Sequence, residues 1–173
     1  MFSTDNLVVY PAYGIGQIEC IEHKDIGGME CDFYIVRIRT SNIIMMVPVK
    51  NAANVGLRSL ITKTAANNIL QSLRIGTTGN IITGQNWNRR FREYSGRLKS
   101  PDLSIVAEVL HELLLISRSK ELSFGERRLL EQAMNLVCGE LSEVLDISLN
   151  DLRADLLSLY APITEEEIAS ADA

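Results

Sequence analysis

Apolar and polar positions follow two different periods along this chain, and the change comes near residue 51. Residues 6–10 form a short apolar run stopped by Pro11. Gln17-Ile18-Glu19-Cys20 alternates as a half-buried strand does. A second alternating run puts Tyr34, Val36 and Ile38 on one face, and the Gly27-Gly28 pair between the runs predicts a hairpin. Thr40-Ser41-Asn42 marks the next turn, and residues 43–47 read as a continuous apolar strand ended by Pro48. Short strands joined by tight turns predict a small antiparallel barrel.

Beyond Asn51 the helical period takes over. Ala66, Ile69, Leu70 and Leu73 follow i, i+3, i+4, i+7 spacing, and Val106, Val109, Leu110, Leu113 and Leu114 repeat it. Ser100-Pro101-Asp102 just upstream predicts a helix start: a capping hydroxyl, a proline in the first turn and an acid near the positive helix end. A further stripe runs through Leu130, Ala133, Met134, Val137, Leu141, Val144 and Leu145. It opens with capping-box spacing at Ser123-Phe124-Gly125-Glu126. Leu149, Leu152, Leu156 and Tyr160 predict a last helix opened by Ser148. These stripes need one another to be buried, so residues from about 80 to 160 are expected to form a helical bundle. The turn-rich residues 75–80 read as the link between the two parts. The tail after Pro162, with Glu165, Glu166, Glu167 and Asp172, reads as a solvated end.

Composition narrows the function classes. The chain has 173 residues and a formal net charge of −5, with 46% hydrophobic and 23% charged residues, as a globular protein has. No run of about 18 apolar residues occurs to span a bilayer, and no secretory signal is read at the start. Cys20, Cys31 and Cys138 are widely spaced, with no CxxC pair, so neither a zinc site nor a disulfide framework is expected. They read as buried thiols in a reducing cytoplasm. No GxSxG, Walker or Rossmann motif is present, and Gly14-Ile15-Gly16 reads as a turn. His23 and His111 stand far apart, outside any metal-ligand spacing; His111 reads as a structural or surface residue. No catalytic residue, metal ligand or cofactor is expected.

One segment departs from the acidic background. Trp87, the one tryptophan, stands in Asn86-Trp87-Asn88-Arg89-Arg90-Phe91-Arg92-Glu93-Tyr94. From Asn86 to Lys99 the cations Arg89, Arg90, Arg92, Arg97 and Lys99 face Glu93 alone, a local balance of +4. A lone tryptophan opening a bundle is more often core than site, and a run of cations is more often a solvated face. Here, however, polar neighbours surround a ring able to stack on a base, and arginine forks match phosphate geometry. Phe91 and Tyr94 read as packing residues. Together the segment predicts a local nucleic-acid site, in a protein too acidic to coat DNA unaided.

Four stretches in register also resemble the CarD/CdnL family of bacterial transcription regulators, from about residue 5 to 160. They are Val8-Val9-Tyr10-Pro11-Ala12-Tyr13-Gly14, Met45-Met46-Val47-Pro48-Val49 with the segment from Asn51 through Arg58, Asn86-Trp87-Asn88-Arg89-Arg90-Phe91, and Leu122-Ser123-Phe124-Gly125-Glu126-Arg127-Arg128-Leu129. The resemblance implies an α+β chain. A Tudor-like antiparallel β-barrel that interacts with RNA polymerase would occupy 1–58, a connecting helix and linker 59–79, a helical DNA-interacting domain 80–162 and an acidic tail 163–173.

It further implies docking on the polymerase β subunit by strand addition. Ile43, Ile44, Met45, Met46 and Val47 would lie at that contact, with Lys24 on a neighbouring loop. Some family members carry an arginine where this chain has Met46. Trp87 would wedge the upstream edge of the promoter bubble, and Arg89, Arg90, Arg92, Arg97 and Lys99 would hold promoter DNA without reading sequence. The expected role is a non-enzymatic, cytoplasmic regulator, associated with the nucleoid through polymerase, that stabilises the open complex. No membrane or small-molecule partner is expected. The alternative is a protein–protein adaptor with a strand-binding barrel and no nucleic-acid role; a thiol-dependent enzyme is a third reading.

Overall fold

The two sequence periods become two packed layers. The structure is a computed structural model, and it describes residues 1–76 and 86–162. Residues 77–80 of the expected linker and the acidic tail at 163–173 lie outside the described residues. The N-terminal part is a four-stranded antiparallel sheet in the order β1 (Leu7–Tyr10), β2 (Gly14–Ile26), β3 (Met29–Ile38), β4 (Ile44–Pro48). It curls into a Tudor-like half-barrel over Val8, Ile18, Tyr34, Val36, Ile38 and Val47. The predicted face of Tyr34, Val36 and Ile38 is therefore the inner one. Gly27 and Gly28 both take positive φ between the paired residues Ile26 and Met29, as a two-residue hairpin requires.

Three strand details differ from expectation. Gly14-Ile15-Gly16 is not a separate turn, because Tyr10 pairs with Gly14 and Val8 with Gly16 at the start of β2. Lys24 lies within β2, opposite Cys31, rather than on a loop. A register shift between Ile18 and Cys20 lets β2 run to 13 residues, much longer than its alternation suggests.

Five helices follow: α1 (Lys63–Ile75), α2 (Trp87–Arg97), α3 (Leu103–Ser119), α4 (Phe124–Leu145) and α5 (Leu149–Leu159). Thr62, Asn86, Asp102, Ser123 and Ser148 cap them in turn. Ser100 bonds the Asp102 amide and Asp102 itself caps α3, two residues beyond the expected hydroxyl. The capping box at Ser123 and Glu126 forms as read. The helix expected to act as a connector packs with the rest: Ala66, Ile69, Leu70 and Leu73 of α1 enter the same core as Val109, Leu113, Val137 and Leu156. An apolar stripe of that width has no other place to be buried, since the barrel is already filled by its own side chains.

Arg58 joins the two layers. Its backbone bridges to Val9 of β1 in both directions, at 2.7 and 3.2 Å. Its guanidinium reaches the other way, with Nη1 and Nη2 on the two oxygens of Glu140 in α4 at 2.6 and 2.8 Å. Glu140 also accepts the Ile61 amide at 2.9 Å, and Arg58 donates to the Pro101 carbonyl as well. Gly56, at φ 78°, sits so close to Pro11 and Pro101 that any Cβ would lie 2.9 Å from the Pro11 ring. Arg39 and Glu143 add an exposed pair at 2.9 Å across the same seam.

Removing one partner of a buried, fully bonded pair costs about 3–5 kcal/mol. Glu140→Ala is therefore expected to lower the unfolding free energy by about 3 kcal/mol in urea denaturation. It should also broaden the spin-label distance distribution between barrel and α4. A narrow, unchanged distribution would show that the seam holds without this pair.

Candidate nucleic-acid interface

Trp87 opens α2, with Asn86 ahead of it as the cap: Asn86 Oδ1 accepts from the Asn88 amide at 3.0 Å. The polar residues flanking the ring are thus explained in part by helix initiation. The indole is half-buried. One part of it packs on the helical core, directly over Gly125 in the first turn of α4. A Cβ at Gly125 would stand 2.7 Å from the indole, so glycine is what lets the ring lie against the helix backbone. Phe91, one turn on, tilts against the indole at 5.6 Å between centroids. Tyr94, two turns on, is buried, as a packing residue should be. Burial and the nearby Glu112 carboxylate push its phenol above its ordinary range.

The five cations divide sharply. Arg89, Arg92 and Lys99 are exposed and carry no ion pair among the described residues. Arg90 turns inward. Its side chain is 14% exposed and lies 3.5 Å from the carboxylate of Glu126 in α4. Its guanidinium carbon stands 5.8 Å from the centre of the Trp87 ring. Arg97, 20% exposed, is held by Glu108 and Glu112 at 2.9 Å each and by Glu93 at 3.8 Å. Of the five cations expected to contact DNA, three are thus exposed without an ion pair among the described residues, while acids on α2, α3 and α4 hold Arg90 and Arg97. What these two do is fasten α2 to the bundle.

Glu126 is the hub that sequence reading valued only as a cap. It is 1% exposed. It accepts the Ser123 amide at 2.9 Å and Lys120 Nζ at 3.0 and 3.2 Å, beside its contact with Arg90. Burial alone would raise its pKa, but the Ser123 amide and Lys120 outweigh it and hold the carboxyl below its usual range. Gly125 and Glu126 both stand in the capping-box stretch that the sequence flags. Their contacts with Trp87 and Arg90 cross 38 and 36 positions and leave no local signal.

The strand residues divide by parity. Ile44 and Met46 point outward and are about half exposed, as is Ile43 just before β4. Met45 and Val47 alternate inward: Val47 is buried in the barrel core and Met45 packs against it. Of the five residues expected at the docking contact, Val47 is thus buried and Met45 partly buried, while Ile43, Ile44 and Met46 face outward. Lys24 reaches the outward group, with Nζ 3.7 Å from the Met46 sulfur and 3.0 Å from Glu22. Among the described residues β4 pairs with β3 alone, and no other strand covers its second edge.

Of the three thiols only Cys138 is buried; Cys20 is exposed and Cys31 intermediate, which corrects the expectation of three buried cysteines. Burial pushes the Cys138 thiol up to about 12. His111 is structural: its Nδ1 lies 2.8 Å from the Tyr160 hydroxyl, which donates to the Leu73 carbonyl at 2.6 Å. Among the described residues no group of three or more His, Cys, Asp or Glu could hold a metal ion. No helix among them is long and apolar enough to cross a membrane.

Comparison with known proteins covers most of the chain. Residues 2–61 match the family description "CarD-like/TRCF RID domain" and residues 68–156 match "CarD, C-terminal domain". YdeB of Bacillus subtilis (strain 168), provisionally named as a transcription factor, is 24% identical over 154 residues. That alignment takes in 89% of this chain and 99% of YdeB. The solved structure of "CdnLNt from Myxoccoccus xanthus" shares 36% sequence identity, covering 35% of this chain and 86% of that one, with a TM-score of 0.31.

Because the chain has one tryptophan, its emission reports this site directly. Gly125→Ala should push the indole outward and shift its emission to the red. Helix α4 itself should hold or gain stability, since alanine exceeds glycine in helix propensity by about 1 kcal/mol. Acid should act on the same probe. The stabilisation from Glu126 is fully present above the ordinary carboxylate value of about 4.3 and is lost as pH falls through its depressed folded value. Trp87 emission should therefore change below about pH 4 in the native chain and not in Glu126→Gln, whose emission should be pH-independent there. An identical acid titration in both would exclude Glu126 as the cause.

Proposed function

The chain belongs to the CarD/CdnL family of bacterial transcription regulators, and from that premise we propose that it docks on the RNA polymerase β subunit and stabilises the promoter open complex. The family is one of transcription factors rather than enzymes, and the matched N-terminal domain is a polymerase-interacting domain. In this reading the barrel is the anchor. The open edge of β4 receives a strand of the partner, with Ile44 and Met46 as apolar contacts and Lys24 as the charged one. Met46 replaces polar docking with apolar docking, and the Lys24 ammonium beside its sulfur keeps one cation at the position.

The helical domain is the effector. The observation that carries the reading is the half-buried Trp87, fixed on Gly125 at the head of α2, with Arg89 and Arg92 exposed on the same helix and Lys99 exposed beyond its far end. The first turn of α2 holds no acid, so the positive end of the helix also favours a phosphate. Opening a promoter costs stacking and pairing. An indole inserted in the minor groove at the upstream edge of the bubble fills the gap left by an unstacked step, a contact worth about 1–3 kcal/mol. The three cations hold the backbone without reading bases, so the effect is shared among promoters. The protein works in the cytoplasm, on the nucleoid, through polymerase.

Trp87→Ala should shorten open-complex lifetime about tenfold, the effect of about 1.4 kcal/mol. Thermal denaturation checks that the variant remains folded, since it also loses packing on Gly125. An unchanged lifetime in a folded variant removes Trp87 from the mechanism. If Arg89, Arg92 and Lys99 each meet one phosphate, the slope of log affinity on log salt is about −2.7. Arg89→Ala with Arg92→Ala should then reduce its magnitude by roughly 1.8 on all promoters alike. Loss at one sequence only would point to base readout. Trp87 emission that is not quenched when forked DNA joins the polymerase complex would favour the adaptor reading instead.

A further inference from the structure

An open groove of about 710 Å3 runs between the barrel and α4. Its walls come from both layers: the turn before β2, the turn before β4, and the N-terminal half of α4. Three large apolar side chains that line it remain exposed, Tyr13 and Ile43 at 45% each and Phe124 at 76%. Phe124 is the first residue of α4, next to the glycine beneath Trp87, yet it packs on nothing that hides it. Large apolar side chains left together at one concave surface mark a place where something binds.

The polar lining says what kind of partner fits. Arg127 and Arg128 stand beside Phe124. Among the described residues Arg127 has one ion pair, a 3.6 Å contact with a nearly fully exposed Glu121, and Arg128 has none. Glu131, the acid on the same wall, is already taken by Arg153 of α5 at 2.7 Å. The groove therefore presents net positive charge. Thr40, Ser41 and Gln132 line it with side chains that make no hydrogen bond among the described residues, leaving donors and acceptors for a peptide backbone. Apolar walls, two available guanidiniums and unfilled amide and hydroxyl groups suit a polypeptide that carries carboxylates and apolar side chains. A phosphate backbone would use the cations and waste the rest.

We infer that this groove takes an acidic, apolar segment of RNA polymerase itself. Ile43 lines the groove and immediately precedes Ile44, the first residue of the edge strand β4. A partner chain that pairs along β4 and continues past its start enters the groove. The inference rests on the docking reading of β4. It adds a second foothold that touches the helical layer, so that the polymerase grips both layers at once.

Photo-crosslinking of the full chain in complex with purified polymerase holoenzyme and promoter DNA separates the two claims. Phe124→p-benzoylphenylalanine probes the groove, and Ile44→p-benzoylphenylalanine probes the strand. The expected result is a protein adduct from each, with the Phe124 adduct mapping to a polymerase peptide rich in Asp and Glu. An Ile44 adduct with none from Phe124 overturns the groove alone. Adducts from Phe124 only to DNA, or only within the chain, also overturn it. Failure of both probes removes the docking reading together with the inference. Arg127→Glu with Arg128→Glu provides a second measure, with an expected loss of at least tenfold in affinity for DNA-free holoenzyme; unchanged affinity overturns the groove.

Discussion

The placement of the two layers depends on one buried carboxylate, that of Glu140. Alone in the interior it would be strongly unfavourable. It is tolerated because Arg58 meets both of its oxygens and the Ile61 amide meets one of them again. Arg58 is suited to the task because its own backbone is stitched into β1, so the pair ties sheet to helix rather than two loose side chains. The close approach of Gly56 to two prolines then leaves little freedom for the barrel to rotate.

Helix α4 carries a second buried carboxylate, Glu126, 14 residues or about 21 Å from the first. Glu140 fixes the barrel and Glu126 fixes α2, which bears the tryptophan. One continuous helix thus sets the geometry between the proposed anchor and the proposed wedge. Buried ion pairs contribute little net stability compared with apolar packing, but they permit one arrangement and penalise the others. A device that must hold a ring at a fixed offset from a docking strand gains more from that selectivity than from stability.

The fold was legible because period is a local property. Two-residue alternation and the i, i+3, i+4 stripes identified the strands and helices, and Ser123 with Glu126 announced the start of α4 residue by residue. What escaped was direction. In residues 43–47 every side chain is apolar, so the text gives no parity, and only pairing with β3 shows that Met45 and Val47 turn inward. In α2 the arginines are alike on paper. Yet Arg90 and Arg97 stand seven residues apart, close to the face of Tyr94 and Leu98 that enters the core. A helical projection hints that these two turn inward; their partners Glu108, Glu112 and Glu126 lie on other helices and have no signal in the segment itself. The stripe of α1 was read correctly, but which layer would bury it is a tertiary fact.

That only three of the five cations stand exposed without an ion pair among the described residues bears on how such a protein can act at all. Three phosphate contacts give weak, salt-sensitive binding, and a net charge of −5 opposes even that. The helical layer alone cannot then supply tight binding to DNA. On the proposed reading tight binding comes from tethering, since a module held rigidly on polymerase meets the bubble at a high effective concentration. Rigidity matters for the ring as well. A fully exposed indole would lose rotamer freedom on insertion, and a fully buried one could not insert. Gly125 allows the intermediate state, in which one part of the ring is already packed and the rest remains accessible. The ordering cost is met during folding rather than at the promoter, so more of the stacking energy is available to oppose closure of the bubble.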